Sequence, residues 1–196
     1  MAWPDPVELR GQHASLLPLA PAHEAGLIEA TRDGELWRLW YTAVPAPERM
    51  AAEITRRLGL HAAGSMLPFT VVNAAGRIVG MTTYMHIDAA NRRVEIGSTW
   101  TAASAQRTPL NTECKLMLLR HAFDVLGCIA VEFRTHGMNF QSRRAIERLG
   151  AKLDGLLRSQ SVMPNGTVRD TAVYSIIAAE WPAVRANLTW QMERPR

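Results

Sequence analysis

The chain of 196 residues has the length of one domain, and with 47% hydrophobic and 20% charged residues it has the balance of an ordinary globular protein. The first eight residues carry acid and proline where a signal peptide needs a basic start, and no stretch approaches the roughly 20 apolar residues of a membrane span. Two cysteines, Cys114 and Cys128, suit neither a disulfide framework nor a metal site. We therefore expect a cytoplasmic single domain over residues 1–196, with reduced thiols, no membrane partner and no metal.

The basic residues are almost all arginine, because Lys115 and Lys152 are the only lysines among 22 basic residues. Arginine binds phosphate with two parallel hydrogen bonds, so the excess is compatible with an anionic ligand. A bias of genomic composition explains the same excess and is the simpler explanation. The arginines are scattered and no recognition helix is visible, so a nucleic-acid partner is not expected.

The N-terminal third predicts one strand followed by two helices. Residues 9–19 have strand character interrupted by Gly11, and residues 22–32 read as a short helix. A second helix is predicted over residues 48–60, where Met50, Ile54 and Leu58 recur at helical spacing.

The middle of the chain changes to the period of a sheet. Residues 69–73 and 78–85 flank the turn Asn73-Ala74-Ala75-Gly76 and predict an antiparallel hairpin. A third strand is predicted over residues 93–100. Strict alternation would place Val94, Ile96, Ser98 and Trp100 on one face, and Glu95, Gly97 and Thr99 on the other.

The C-terminal half alternates helices and strands. A helix is predicted over residues 112–126, with Leu118, Ala122 and Val125 on one stripe, and a strand over residues 129–135 follows it. The next elements are a helix from Asn139 to Leu149, two strands joined by Pro164-Asn165-Gly166, and a last helix over residues 179–190. Because a strand–helix–strand unit stands beside hairpins, the sheet must be mixed, and the fold class is α/β (α+β).

Two polar segments are candidates for chemistry. The loop of residues 104–112 precedes a helix, whose first N–H groups and positive dipole end favour an anion. Any capped helix has these properties, so the loop by itself indicates little. The helix that begins at Asn139 brings Asn139 and Ser142 together, but an N-cap and a solvated helix face explain that spacing equally well.

The order of elements from about residue 69 to 177 resembles the acyl-CoA-binding core of the GNAT acetyltransferases. Asn139, Ser142 and Leu149-Gly150-Ala151 are similar to that family's helix motif N-x-x-S-x-x-x-x-x-x-G-[AF]. The N-terminal segment with Leu9-Arg10-Gly11 resembles the opening strand of the branch that acetylates the N-termini of ribosomal proteins. The resemblance covers nearly the whole chain, and it implies a mixed central sheet with splayed strands.

The resemblance also implies which residues bind acetyl-CoA. The family's pyrophosphate loop reads [QR]-x-x-G-x-[GA]; here Gln106 is in register, but Pro109 and Asn111 replace the glycines. Either side chains replace the missing backbone contacts, or the cofactor binds poorly. The backbone of residues 98–101 would line the pantetheine, with Asn139 and Ser142 on its other side. The full set of implied cofactor contacts is Trp100, Thr101, Gln106, Arg107, Thr108, Asn111, Thr112, Asn139, Ser142 and Arg143.

The chemistry implied by the resemblance is direct attack of an amine on the thioester, which needs a base and an acid. Glu95 matches the strand glutamate that commonly serves as the base, although a carboxylate on a half-exposed strand is an equal explanation. Ser142 is the candidate acid. His86 and His136 lie at strand ends near the implied cleft and are weaker candidates. Trp37, Trp40 and Tyr41 fall where the family has acceptor-side helices, but tryptophans at this spacing more often belong to a core.

We therefore expect an acetyl-CoA:amine N-acetyltransferase whose acceptor is a protein N-terminus or a small amine. A non-catalytic acyl-CoA-binding protein is the alternative, and release of thiol from acetyl-CoA in the presence of amines distinguishes the two. A nucleic-acid-binding protein ranks third and would show a steep salt dependence of binding. The resemblance leaves a homodimer open.

Overall fold

A mixed sheet of eight strands forms the centre of the computed structural model, which describes residues 3–194. The strands are β1 (Leu9–Arg10), β2 (Ala14–Pro18), β3 (Met66–Asn73), β4 (Ile78–Asp88), β5 (Arg93–Thr101), β6 (Ala130–His136), β7 (Lys152–Val162) and β8 (Val168–Ile177). The longer helices are α1 (Glu24–Arg32), α2 (Met50–Ala62), α3 (Pro109–Arg120), α4 (Phe140–Arg148) and α5 (Trp181–Glu193). The predicted order of elements is confirmed, except that the first strand divides at Gly11 into β1 and β2.

The strand order across the sheet is β1-β2-β3-β4-β5-β6-β8-β7. Neighbouring strands are antiparallel except β5 and β6, which are parallel and joined through α3. A parallel pair needs such a crossover, because the chain must return to the same end of the sheet. The predicted mixed sheet is confirmed.

Both predicted tight turns are present. The amide N–H of Gly76 donates to the carbonyl of Asn73 at 3.0 Å, and the Asn73 side-chain oxygen accepts from the N–H groups of Ala75 and Arg77. Gly76 has a φ of 76°, which glycine adopts without strain. The turn between β7 and β8 closes in the same way, with the N–H of Gly166 donating to Met163.

The predicted alternation along β5 is wrong beyond Gly97, because a bulge interrupts it. Thr83 pairs with Gly97 and Met81 pairs with Trp100, so Ser98 and Thr99 together oppose the single residue Thr82. Ser98 adopts a positive φ of 47°. The extra residue moves Trp100 to the face of Glu95 and Gly97, away from Val94 and Ile96.

Helix α3 also differs from its prediction. It begins at Pro109 instead of residue 112, with Thr108 as N-cap, and it continues as a π-helical turn over His121–Val125. The wider turn shifts the later side chains around the helix axis. Leu118 and Ala122 are buried as predicted, whereas Val125 is 70% exposed and does not belong to the apolar stripe.

The helices cover both faces of the sheet. The Tyr84 hydroxyl of β4 donates to the Leu118 carbonyl of α3, while the neighbouring Thr83 accepts a hydrogen bond at 2.6 Å from Arg57 of α2. Successive strand residues face opposite sides, so α2 and α3 lie on opposite faces. Within residues 3–194, none of the helices combines the length and apolar character needed to cross a bilayer.

Candidate active site

The two parallel strands part in the middle of the sheet. In the pairing between β5 and β6, Arg93 lies opposite Ala130, Val94 opposite Val131 and Glu95 opposite Glu132, and the pairing then ends. Strand β5 runs on to Thr101 and β6 to His136 without further pairs to each other. The backbone edges that face each other beyond Glu95 therefore offer hydrogen-bond groups to an extended ligand.

Glu95 lies at the last paired position, where this gap opens. Its residue is 4% exposed, and its Oε2 lies 2.6 Å from Nδ1 of His86, a residue of β4 with an exposed side chain. The Nε of Arg134 is 3.6 Å from the same oxygen. Burial raises the pKa of Glu95, while the hydrogen bond from His86 and the charge of Arg134 act in the opposite direction. The strand face at Glu95 is therefore buried and not half-exposed, and the exposed His86 connects the carboxylate to solvent.

Two buried cations hold the β5 bulge from opposite sides. Arg57 is 2% exposed, and both terminal nitrogens of its guanidinium lie within 3.5 Å of the Ser98 carbonyl. On the other face the Lys115 amine donates to Thr99 at 2.9 Å, and burial lowers the pKa of Lys115 to about 8. These contacts fix the part of β5 that borders the gap.

The start of α3 offers donors to an anion. The Thr108 hydroxyl donates to Ala105 and accepts from the N–H of Leu110, as an N-cap does. Pro109 occupies the first helical position, where its fixed φ suits the helix but its missing N–H removes one donor. Arg107 is exposed with a φ of 58°. Within residues 3–194 the backbone N–H groups of Arg107 and Thr108 have no acceptor, so this loop suits a phosphate.

The other predicted residues of this loop have different surroundings. The Gln106 side chain donates to the Thr101 carbonyl at 3.1 Å and so ties the loop to the end of β5. Asn111 is half-buried in the first turn of α3. Thr112 lies one position further along the helix and is 6% exposed, so its side chain adds no donor to the surface of the loop. Trp100 is also buried, and no group of the described chain accepts from its indole N–H.

The Glu113 side chain contacts the turn between β1 and β2. Its carboxylate accepts from the N–H groups of Gln12, His13 and Ala14 at 2.6–2.8 Å. A Cβ at Gly11 would lie 2.4 Å from the Glu113 carboxyl carbon, so the glycine leaves room for this contact. Glu113 therefore anchors the turn between β1 and β2 to helix α3.

Helix α4 faces the gap from beyond the end of β6. The Asn139 side-chain oxygen accepts from the Ser142 N–H at 3.0 Å, so the predicted N-cap is confirmed. Ser142 itself is half-buried in the first turn of α4. Arg143 donates to the Tyr174 hydroxyl at 2.9 Å and to the Gly137 carbonyl at 3.2 Å. Because Arg143 is engaged by β8 and the β6–α4 loop, its structural role is evident and its role toward a cofactor stays a prediction.

His136 ends β6 on the face that carries Glu95. Trp40 and Tyr41, from the irregular segment between α1 and α2, pack against its ring with centroid distances of 5.2 and 6.5 Å. The fold therefore brings Glu95, His86, Arg134 and His136 to one face of the gap, and the two aromatic side chains pack against His136. A surface cavity of about 560 Å³ between α3 and α5 contains none of these residues.

Sequence reasoning missed Arg57 and Lys115. Arg57 follows Met50 and Ile54 at the spacing i, i+4, i+7, so it occupies a core position of α2, and that signal was present in the sequence. For Lys115 the signal is weaker, because a lysine within a helix is usually exposed.

A mixed sheet whose two parallel strands part beside a helix start is the architecture expected of an acetyltransferase of the GNAT family. The chain belongs to the acetyltransferase (GNAT) domain family, because residues 14–152 match the sequence model of that family. This confirms the family resemblance and the α/β fold.

Individual relatives agree with this assignment. The curated Bacillus subtilis protein "Putative ribosomal N-acetyltransferase YdaF" is 30% identical over 106 residues, which cover 54% of this chain and 57% of that protein. The crystal structure of a GCN5-related N-acetyltransferase from Brucella melitensis is 30% identical, with a TM-score of 0.84 over 95% of this chain and 86% of that one. Mycobacterium smegmatis RimJ shares the fold at 24% identity, with a TM-score of 0.79 over 97% and 96% of the two chains.

Proposed function

We propose that this acyltransferase moves an acetyl group from acetyl-CoA to a primary amine, either a protein N-terminus or a small amine. The observation that carries the proposal is the position of Glu95: a buried carboxylate at the residue pair where β5 and β6 part, hydrogen-bonded to a histidine that is exposed to solvent.

Glu95 is the proton acceptor in this reaction. A primary ammonium must lose a proton before its lone pair attacks the thioester carbon, and a carboxylate with a raised pKa is a better base at neutral pH than an exposed one. His86 connects this carboxylate to solvent, so the proton has a route out of the buried site. When the tetrahedral intermediate collapses, the C–S bond breaks and the leaving thiolate takes a proton, for which the Ser142 hydroxyl is the proposed donor.

We propose that α3 and α4 form the cofactor side of the gap. The free N–H groups of Arg107 and Thr108 and the Arg107 guanidinium suit the diphosphate, and Gln106 fixes the loop that carries them. The rest of acetyl-CoA is proposed to contact the side chains of Asn111 and Asn139 and the β5 backbone at Trp100 and Thr101. The M. smegmatis RimJ structure holds CoA as a disulfide. The name of the B. subtilis relative supports a protein N-terminus as one acceptor.

We propose that the reaction takes place in the cytoplasm. That the protein forms a homodimer stays a prediction.

The test is release of free thiol from acetyl-CoA by the purified chain with a panel of amines that includes short peptides and polyamines. We expect turnover with at least one amine, and a loss of about 10²- to 10⁴-fold for Glu95→Gln. Glu29→Gln is the control for the loss of a carboxylate, because the Glu29 side chain lies in α1 and is 71% exposed. Retention of acetyl-CoA without turnover of any amine would show an acyl-CoA-binding protein instead.

A further inference from the structure

One imidazole nitrogen of His136, Nδ1, accepts a hydrogen bond, and within residues 3–194 the other, Nε2, has no hydrogen-bond partner. The Met138 N–H donates to Nδ1 at 3.0 Å, so Nδ1 is an acceptor and the ring proton lies on Nε2. The residue is 4% exposed, and within residues 3–194 Nε2 has no hydrogen-bond partner. A buried N–H without an acceptor is unfavourable, and such groups in native proteins call for a specific explanation.

The surroundings of this N–H fit a ligand oxygen. Because Nδ1 accepts from Met138, the ring is a neutral donor through Nε2. Burial and the charge of Arg169 lower the pKa of His136, while Asp170 acts in the opposite direction. Trp40 packs edge-on against the ring, is 49% exposed and belongs to an irregular segment, so the ring adjoins an aromatic side chain that is partly open to solvent. A fixed N–H donor beside aromatic side chains fits an uncharged acceptor such as a peptide carbonyl.

The register of β6 relates this donor to the reacting amine. Glu132, Arg134 and His136 alternate along one face, and Glu132 is the partner of Glu95. Four residues of strand span about 13 Å. Since the Arg134 side chain already reaches Glu95, the distance from the base to the His136 ring is on the order of 10 Å. An extended peptide advances about 3.3–3.6 Å per residue, so such a distance corresponds to the second or third residue.

We propose that Nε2–H of His136 is a specificity-determining donor for a peptide acceptor, and that it binds a backbone carbonyl at the second or third residue from the reacting amine. This inference rests on the proposed function, in which Glu95 accepts the proton of the same amine. An acceptor with a single carbonyl next to its amine is too short to use the donor.

Two substitutions separate the roles of the two nitrogens. His136→Asn keeps an acceptor at the position of Nδ1 and removes the donor, whereas His136→Gln keeps an amide N–H near the position of Nε2. With trialanine amide as acceptor, we expect His136→Asn to lower kcat/KM about 10- to 100-fold, mainly through KM, and His136→Gln to retain most of it. With alaninamide, which has one carbonyl, the difference in kcat/KM between His136→Asn and His136→Gln should disappear. Equal losses for both acceptors, or an equal effect of Asn and Gln, would overturn the proposal.

A binding measurement makes the result independent of turnover. The des-amino analogue propionyl-alanyl-alaninamide has the carbonyls of the tripeptide but no amine. Calorimetry should show that it binds wild type and His136→Gln but binds His136→Asn about 10- to 100-fold more weakly. Melting temperatures of the variants check the fold. If amines are acetylated but the analogue binds all three proteins equally, the subsite is wrong; if the analogue binds as expected but no amine is acetylated, the proposed function is wrong.

Discussion

A Cβ atom at Gly97 would lie 2.5 Å from Oε1 of Glu95. The two residues are neighbours on one face of β5, and the Met85 sulfur would lie 2.7 Å from the same Cβ. No real contact is this short, so the absence of a side chain at residue 97 is what allows the Glu95 carboxylate to lie where it accepts from His86. A requirement for glycine at this position follows from packing, since its φ is not in the left-handed region.

Gly97→Ala should therefore lower acetyl transfer without removing any functional group. The methyl group pushes the carboxylate away from the gap, and we expect kcat/KM to fall about 10- to 100-fold, since a base out of place loses part of the 10²–10⁴ that a base contributes. Gly155→Ala is the control, because nothing lies within 4 Å of a Cβ there. Unchanged activity in Gly97→Ala would show that Glu95 does not act from its present position.

Glu95 should set the acidic limb of the pH–rate profile. Because burial raises its pKa, the fraction of ionised base falls at a higher pH than for an exposed glutamate, and activity should fall with it. Glu95→Gln should lose that limb together with about 10²–10⁴ in rate, and an acceptor amine of low pKa should recover part of the loss. A profile of the same height and shape in the variant would exclude Glu95 as the base.

The same group contributes to stability in a direction that is unusual for a carboxylate. Between the unfolded pKa and the raised folded pKa, the folded chain holds a proton that the unfolded chain has lost. The stabilisation is complete below the unfolded pKa and is lost as the pH rises through the folded value. Urea titrations from pH 4 to 7 should show this fall in wild type and its absence in Glu95→Gln, provided that the two are compared at each pH.

Lys115 should make the protein more stable at alkaline pH. Its folded pKa of about 8 lies below the ordinary lysine value of 10.5. The unfolded chain therefore binds more protons between those values, and the free energy of unfolding rises with pH across that window. The rise attributable to this lysine is up to roughly 3 kcal/mol. Lys115→Met should remove it and be more stable than wild type at pH 7. Lys152→Met is the control, because the Lys152 side chain is 76% exposed.

Glu113 should matter for folding and not for the chemistry. Replacing it by Ala leaves three backbone N–H groups without their acceptor, and we expect a loss of about 2–4 kcal/mol in the free energy of unfolding. Gly11→Ala should destabilise through the same contact, and a double-mutant cycle should show that the two losses are not additive. Activity per folded molecule should stay the same; a selective loss of activity would mean that the β1–β2 turn shapes the site.

Arg107 should contribute to the affinity for CoA. Its exposed guanidinium stands beside the unpaired N–H groups of the loop, so Arg107→Ala should weaken binding by roughly 1–3 kcal/mol. Arg32→Ala is the control, since the Arg32 side chain is 59% exposed and belongs to α1. Calorimetry that gives equal affinities for Arg107→Ala and wild type would remove Arg107 from the site.

The sequence by itself determined the elements and their order. The signals that predicted them are local, because each depends on residues at most four positions apart. They are the helical spacing at Met50 and Ile54, the Asn73–Gly76 turn and the N-cap at Asn139. They were enough to predict a mixed sheet, and together with the helix motif at Asn139 they identified the family.

Tertiary structure decided the environment of each functional side chain. The bulge at Ser98 and Thr99 arises from pairing with β4, so strict alternation along β5 could not show that Trp100 faces the same side as Glu95. The burial of Glu95 and its contact with His86 depend on three strands that meet across the sheet. Glu113 finds its partners about 100 residues away in the chain. Hydrogen bonds and desolvation act through space, and neither is encoded in the spacing of neighbouring residues.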